Sequence, residues 1–251
     1  MPSYNCGPFV EQTIRSVQAQ TYQDWEIIFI DDCSTDDTIK RVSELGEKDP
    51  RIRLFQNDVN RGAAVSRNRA LREAKGRWIA FLDSDDLWEP EKLERQIAFM
   101  ENNNYKFSYT CYSEMDHDGK DSGVEVSGPA RITQAGMYAF CWPGCLTVMY
   151  DATFFELLQI EDIKKNNDYA MWLKLCRQAD CYLLPEVLAK YRRGRVGSIS
   201  SHGISTMIKW HYKLFREAEA LSIFASIWHT GLNLICGSYK KIKYVMPVRR
   251  I

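Results

Sequence analysis

Apolar and polar positions switch between two periods along the first hundred residues, and each switch predicts an element. Behind Pro8, apolar Phe9, Val10, Ile14 and Val17 recur at helical spacing, with the proline near the start of the run where a helix tolerates it. Trp25, Ile27, Ile28, Phe29 and Ile30 then make a nearly continuous apolar run, which reads as a buried strand ending on Asp31 and Asp32. Ser34, Thr35, Asp36 and Asp37 supply N-cap chemistry for a helix through Ile39, Val42 and Leu45. A second strand is predicted over 52–55, a helix over 62–74 and a third strand over 78–82, after which Pro90 opens another helix. Strands alternating with helices at this spacing predict a parallel sheet sandwiched by helices.

Beyond about residue 105 the rhythm changes. Residues 107–112 are strand-like, and Asp118-Gly119 inside 116–120 is a tight-turn signal. A helix is predicted over 169–179 and a strand over 181–191, and from Ser201 onward the spacing is helical again. No linker divides the chain. The expected organisation is one domain over 1–200, with halves 1–104 and 105–200, and a helical extension over 201–251.

Charge alters this picture through its distribution. Lys and Arg number 33, as do Asp and Glu, so the formal net charge is zero and a wholly basic nucleic-acid binder is disfavoured. From Val187 to Ile251, however, twelve Lys or Arg stand against Glu217 and Glu219 alone, leaving 21 basic and 31 acidic residues before them. Eight cysteines are scattered with no C-x-x-C pair, and Cys141 and Cys145 have no second pair to complete a zinc site. Reduced thiols in a cytoplasmic protein are expected. The opening Met-Pro-Ser-Tyr-Asn-Cys-Gly-Pro has neither a basic nor an apolar signal segment. Residues 221–236, the longest apolar-rich stretch, carry too many polar interruptions to span a membrane.

Two carboxylate clusters stand where strands end: Asp31-Asp32, and Asp83-Ser84-Asp85-Asp86. Ligands of open α/β sheets bind outside the carboxyl ends of the strands. Three acids within four residues repel one another, and hard oxygen ligands suit Mg²⁺ or Mn²⁺. The bland alternative is that the acids only cap helices. EF-hand loops fail, because Asp37 and Trp88 occupy the positions that would need glycine. Neither G-x-G-x-x-G nor G-x-x-x-x-G-K-[ST] is present, nor a G-x-S-x-G elbow.

The order and spacing of Pro2-Ser3-Tyr4-Asn5, Asp31-Asp32-Cys33-Ser34-Thr35-Asp36, Asn60-Arg61-Gly62 with Arg67-Asn68, and Asp83-Ser84-Asp85-Asp86 resemble those of family 2 glycosyltransferases. The resemblance covers roughly residues 1–195. It implies the GT-A fold, a mixed sheet flanked by helices, and inverting sugar transfer as in non-processive bacterial enzymes of surface-polysaccharide synthesis. The Q-x-x-R-W signature of processive synthases is absent.

By that resemblance Asp32 bonds the uracil ring, Arg67 meets base or phosphate oxygens, and Pro2, Tyr4, Asp83 and Asp85 also border the nucleotide-sugar. Asp85 and Asp86 match the metal-binding region, with the direct ligand undecided between them. The family's general base is the Asp of an E-D-Y-x-x-W-L helix. Here Asn167-Asp168-Tyr169-Ala170-Met171-Trp172-Leu173 assigns the base to Asp168 and replaces the Glu with Asn167. Arg192, Arg193 and Arg195 resemble the loop that closes toward the diphosphate, and His202 matches a late metal-ligating histidine of some GT-A enzymes.

Two features depart from the family or extend it. Family members carry an apolar strand directly before P-S-Y-N, where this sequence has Met1, so the first strand is expected to be a stub and an upstream extension is expected in the natural gene product. The tail, apolar through 221–236 and then basic at Lys240, Lys241, Lys243, Arg249 and Arg250, has the composition of a segment in a membrane interface. The expected partners are thus a UDP-sugar donor, a glycan or lipid-linked acceptor and the inner membrane face. A homo-oligomer is compatible with the sequence, and nucleic acid is not expected. The rival readings are a catalytically inactive subunit of a glycan assembly complex and a nucleotidyltransferase.

Overall fold

The computed structural model describes residues 1–194 and 203–248. β1 (Pro2–Ser3) leads into α1 (Gly7–Gln18), which buries Phe9, Val10, Ile14 and Val17. There follow β2 (Ile27–Asp31), α2 (Thr38–Gly46), β3 (Ile52–Gln56), α3 (Ala63–Glu73), β4 (Trp78–Ala80), β5 (Leu87–Trp88) and α4 (Lys92–Asn102). The second half contains β6 (Phe107–Met115), β7 (Asp121–Val126), β8 (Arg131–Ile132), α5 (Gln134–Ala139), β9 (Met149–Asp151), α6 (Asn167–Cys176) and β10 (Cys181–Arg192). α7 (Ile204–Lys213) continues through a π-helical turn, Leu214–Ala218, before α8 (Ile223–Lys243) and β11 (Val245–Pro247).

β1, β2 and β3 form a parallel sheet, and every residue of β2 is buried, as its apolar run requires. The larger sheet is mixed. Its path runs β11-β7-β6-β10-β5, with β9 joining β6 to β4 and β8 on β10. β6 and β10 are parallel, whereas β5, β7, β8 and β9 enter antiparallel. The Asp-Gly signal forms the β6–β7 turn, where the Asp116 amide donates to the Lys120 carbonyl at 2.8 Å and Gly119 takes φ +84°, a conformation glycine adopts without strain.

The expected stub is what forms at the first strand: Pro2 and Ser3 pair with β2 opposite Ile30 and Asp31, and Met1 adds bonds to the Ile28 carbonyl and the Ile30 amide. Beside it a cavity of about 670 Å³ separates Ile28 of β2 from Trp78, Ile79 and Ala80 of β4. The acid cluster before α2 does more than cap. Asp36 Oδ1 accepts from the Thr38 amide at 3.0 Å, and its Oδ2 accepts from the Gly7 amide at 2.9 Å, tying the starts of α1 and α2 together.

Two cores hold the layers. One runs from α1 and α2 on the parallel sheet to α4 on the larger sheet, through Val10, Ile14, Phe29, Val42 and Ile97. The other surrounds Trp172, fully buried with Phe81 edge-on at 5.0 Å. Leu214 and Phe215 are fully buried in this second core, and β11 pairs with β7, so the C-terminal helices share the body of the domain. All eight cysteines are free thiols. Among the described residues no helix is long and apolar enough to cross a membrane.

Candidate active site

Strand β2 delivers the first acids. Asp32 is buried, and its carboxylate organises the loop ahead of α3: Oδ1 accepts from Asn57 Nδ2 at 2.8 Å and from the Arg61 amide at 2.9 Å, and Oδ2 accepts from the Gly62 amide at 2.7 Å. Gly62 sits at φ +86°, so the Asn60-Arg61-Gly62 motif makes a turn whose amides converge on Asp32. Nearby, Asn5 Oδ1 accepts from the Thr35 amide at 2.8 Å, and Ser34 Oγ accepts from the Asn5 amide at 2.9 Å. These contacts join the Pro2-to-Asn5 segment to the loop after β2.

The loop after β4 carries Asp83, Asp85 and Asp86, which differ in surroundings. Asp83 Oδ1 accepts from Arg67 Nη2 at 2.6 Å. Asp86 is 2% exposed and its Oδ1 accepts from the Arg192 amide at 2.8 Å. Burial, and then the Asp85 and Asp83 carboxylates, push the Asp86 carboxyl well above the usual range. Asp85 is half-buried at the cleft surface. The Arg192 guanidinium clamps this loop: Nε donates to the Asp85 carbonyl at 2.8 Å, Nη1 to the His117 carbonyl at 2.8 Å and Nη2 to Gln12 Oε1 at 2.7 Å. Arg193 pairs with Glu114. Arg195 and His202 lie outside the described residues.

Helix α6 starts behind Asn166, whose φ of +57° turns the chain sharply. Asp168 is in its first turn, with Oδ1 accepting from the Tyr169 amide at 2.9 Å. Burial raises the Asp168 carboxyl above the ordinary range even though Arg67 pulls the other way. Asn167, in place of the family's Glu, presents its side-chain oxygen to Arg67 Nη1 at 2.6 Å. Arg67 thus bridges α6 to the acidic loop. Its own burial opposes the charge, but the Asp83 and Asp168 carboxylates outweigh that and hold the guanidinium firmly protonated.

These groups open onto one cleft of about 930 Å³ that brings together Pro2, Tyr4, Asp32, Arg67, Asp83, Asp85, Asp86, Asp168, Arg192 and Arg193. Sequence reasoning missed further lining groups: Cys145, Lys165, Trp210, His211 and Lys240. Burial holds the Cys145 thiol well above its usual range, so it stays neutral rather than nucleophilic. Lys240 corrects its grouping with the basic tail. It turns inward and donates to the Trp142 carbonyl at 2.7 Å. Only its place on the inner face of α8 could have signalled this, and periodicity does not reveal which face is inner.

Residues 1–134 match the family described as Glycosyl transferase family 2. The chain belongs to that family. It is 39% identical over 228 residues, covering 90% of each chain, to the putative teichuronic acid biosynthesis glycosyltransferase TuaG of Bacillus subtilis (strain 168). It is also 38% identical over 207 residues, covering 82% of this chain and 80% of the relative, to WfaP of Escherichia coli, a UDP-Glc:alpha-D-GlcNAc-diphosphoundecaprenol beta-1,3-glucosyltransferase. The crystal structure of S. aureus TarS 1-349 in complex with UDP-GlcNAc superposes with a TM-score of 0.70 at 19% identity, over 96% of this chain and 72% of that one. The family 2 transferase therefore has the GT-A fold, and it is a glycosyltransferase.

The family 2 acids that were expected together are together, but around an arginine hub that spacing alone does not reveal. Among the described residues no three His, Cys, Asp or Glu side chains converge as a complete metal cage. A bound cation would need oxygens from the substrate as well, which is how Mg²⁺ is commonly held.

Proposed function

We propose that this glycosyltransferase is inverting and moves a sugar from a UDP-sugar to a hydroxyl of a lipid-linked glycan during synthesis of a bacterial surface polysaccharide. The observation that carries this reading is the single cleft shared by Asp32, Arg67, Asp85 and Asp168. Asp32, fixed by three hydrogen bonds, is the carboxylate we assign to the uracil N–H. Asp168 takes the proton from the acceptor hydroxyl. That oxygen bonds to the anomeric carbon as the bond to the diphosphate breaks, and UDP departs with the electron pair. A carboxyl raised above its ordinary range is a stronger base once ionised, which suits this task. WfaP, named for transfer to a diphosphoundecaprenol-linked acceptor, supports the acceptor class.

The donor set fits a divalent cation. Asp83, Asp85 and Asp86 all line the cleft, Asp83 bonded to Arg67, Asp86 buried against the Arg192 amide, and Asp85 half-buried between them in sequence. We assign Mg²⁺ or Mn²⁺ to Asp85, where the ion would offset the carboxylate crowding and stabilise the charge of the departing diphosphate. We assign the reaction to the cytoplasmic face of the membrane, where a UDP-sugar donor would meet a lipid-linked acceptor. The test is UDP release from a panel of UDP-sugars with Mn²⁺, with and without a polyprenyl-diphosphate-linked sugar. Acceptor-dependent release with an inverted product is expected. Release indifferent to acceptor, or none from any UDP-sugar, would overturn the proposal.

A further inference from the structure

Helix α8 is amphipathic in the reverse sense for a helix on a water-soluble domain. Ile223, Phe224, Ile227, Trp228, Ile235 and Ile242 fall on one side at helical spacing and all face outward, with Phe224 85% and Trp228 65% exposed. The opposite side, packed on the domain, is small or polar: Ser226, Thr230 and Asn233 are buried, and Asn233 Nδ2 donates to the Tyr169 hydroxyl at 3.2 Å. A surface helix ordinarily turns its apolar stripe to the core. From α7, exposed Ile204, Met207 and Ile208 add to the outward apolar surface.

We propose that this outward face of α7 and α8 seats in the interfacial layer of an anionic membrane. Charge favours a bilayer over a protein partner. Lys241 and Lys243 flank Ile242 and are exposed, while of the two acids in 203–248, Glu217 and Glu219, the latter is buried under Arg177. Trp228 and Tyr239 have the amphipathic rings that suit headgroup depth. Since no described helix can span, the contact is peripheral. The same two helices line the cleft through Met207, Trp210, His211 and Lys240, so seating them brings the cleft mouth to the bilayer surface. That last consequence rests on the lipid-linked acceptor proposed above; the membrane contact itself does not.

The test is co-sedimentation of the full chain with vesicles of phosphatidylglycerol and phosphatidylethanolamine, at low and high salt, beside vesicles of phosphatidylcholine. Binding to the anionic vesicles that weakens with salt is expected. Phe224→Glu with Trp228→Glu should lower the bound fraction at least about tenfold, and Lys241→Glu with Lys243→Glu should lower it for anionic vesicles only. Because these side chains project outward, thermal unfolding should stay at the wild-type temperature. Equal sedimentation of wild type and both variants overturns the proposal. So does a wild-type dimer that ignores vesicles and that Trp228→Glu converts to monomer, an outcome assigning the face to a second copy. Vesicle binding without transfer to any lipid-linked acceptor would sink the acceptor class alone. Acceptor-dependent transfer without vesicle binding would sink the membrane face alone.

Discussion

Replacing Arg67 by methionine removes the charge that joins α3 to both the acidic loop and α6. The guanidinium donates at 2.6 Å to Asp83 Oδ1 and at 2.6 Å to Asn167 Oδ1, with the paired side chains 10% and 33% exposed. Removing one partner of a buried ion pair costs about 3–5 kcal/mol. The exposed third of Asp83 shifts this toward the lower end, and the stranded Asn167 oxygen adds about 1 kcal/mol. A loss of about 4 kcal/mol is expected in urea unfolding, a large part of the roughly 5–15 kcal/mol typical of a domain. Adding Asp83→Asn should recover part of it, with a coupling of about 2 kcal/mol in the double-mutant cycle. The same substitution reports on chemistry. Burial raises the Asp168 carboxyl and the Arg67 charge pulls it back down, so without Arg67 the pKa climbs further. The acid limb of kcat/KM for the residual activity should therefore move to higher pH. A stability loss under about 1 kcal/mol, or an unmoved acid limb, would refute the hub reasoning.

Asp168→Asn should lower kcat by at least about 100-fold while UDP-sugar affinity, measured by calorimetry, stays within about twofold; more than a tenth of wild-type turnover means another base. Asp85→Ala should abolish the Mn²⁺ stimulation of UDP binding, and unaltered stimulation would move the metal assignment elsewhere. Lys92 is fully buried, its ammonium donating to Gln96 Oε1 at 2.7 Å, and burial lowers its pKa to about 7. A folded value below the unfolded one of about 10.4 means the charged form penalises folding fully below about pH 7, and the penalty fades as pH rises toward 10. Wild-type stability should thus rise relative to Lys92→Met across that window, and parallel curves would show that the lysine stays charged inside.

The sequence by itself determined the alternation of the front half, because β2 needs an uninterrupted apolar run and α1 a helical one, and both signals are local. It also placed Asp32, Asp83, Asp85 and Asp168 in order along the chain, since strand ends and helix starts are readable from neighbouring residues. It could not show that Arg67 reaches Asn167, 100 residues away, nor that the Arg192 guanidinium closes on Asp85, His117 and Gln12. Those bonds exist only once α3 meets α6, and the end of β10 reaches the loop after β4. Lys240 and α8 make the same point. Periodicity states which residues share a face of a helix, but the direction of that face is set by packing against distant elements. Here Leu214, Phe215 and the β11–β7 pairing anchor the C-terminal helices so that Lys240 turns into the cleft and Trp228 out of the domain.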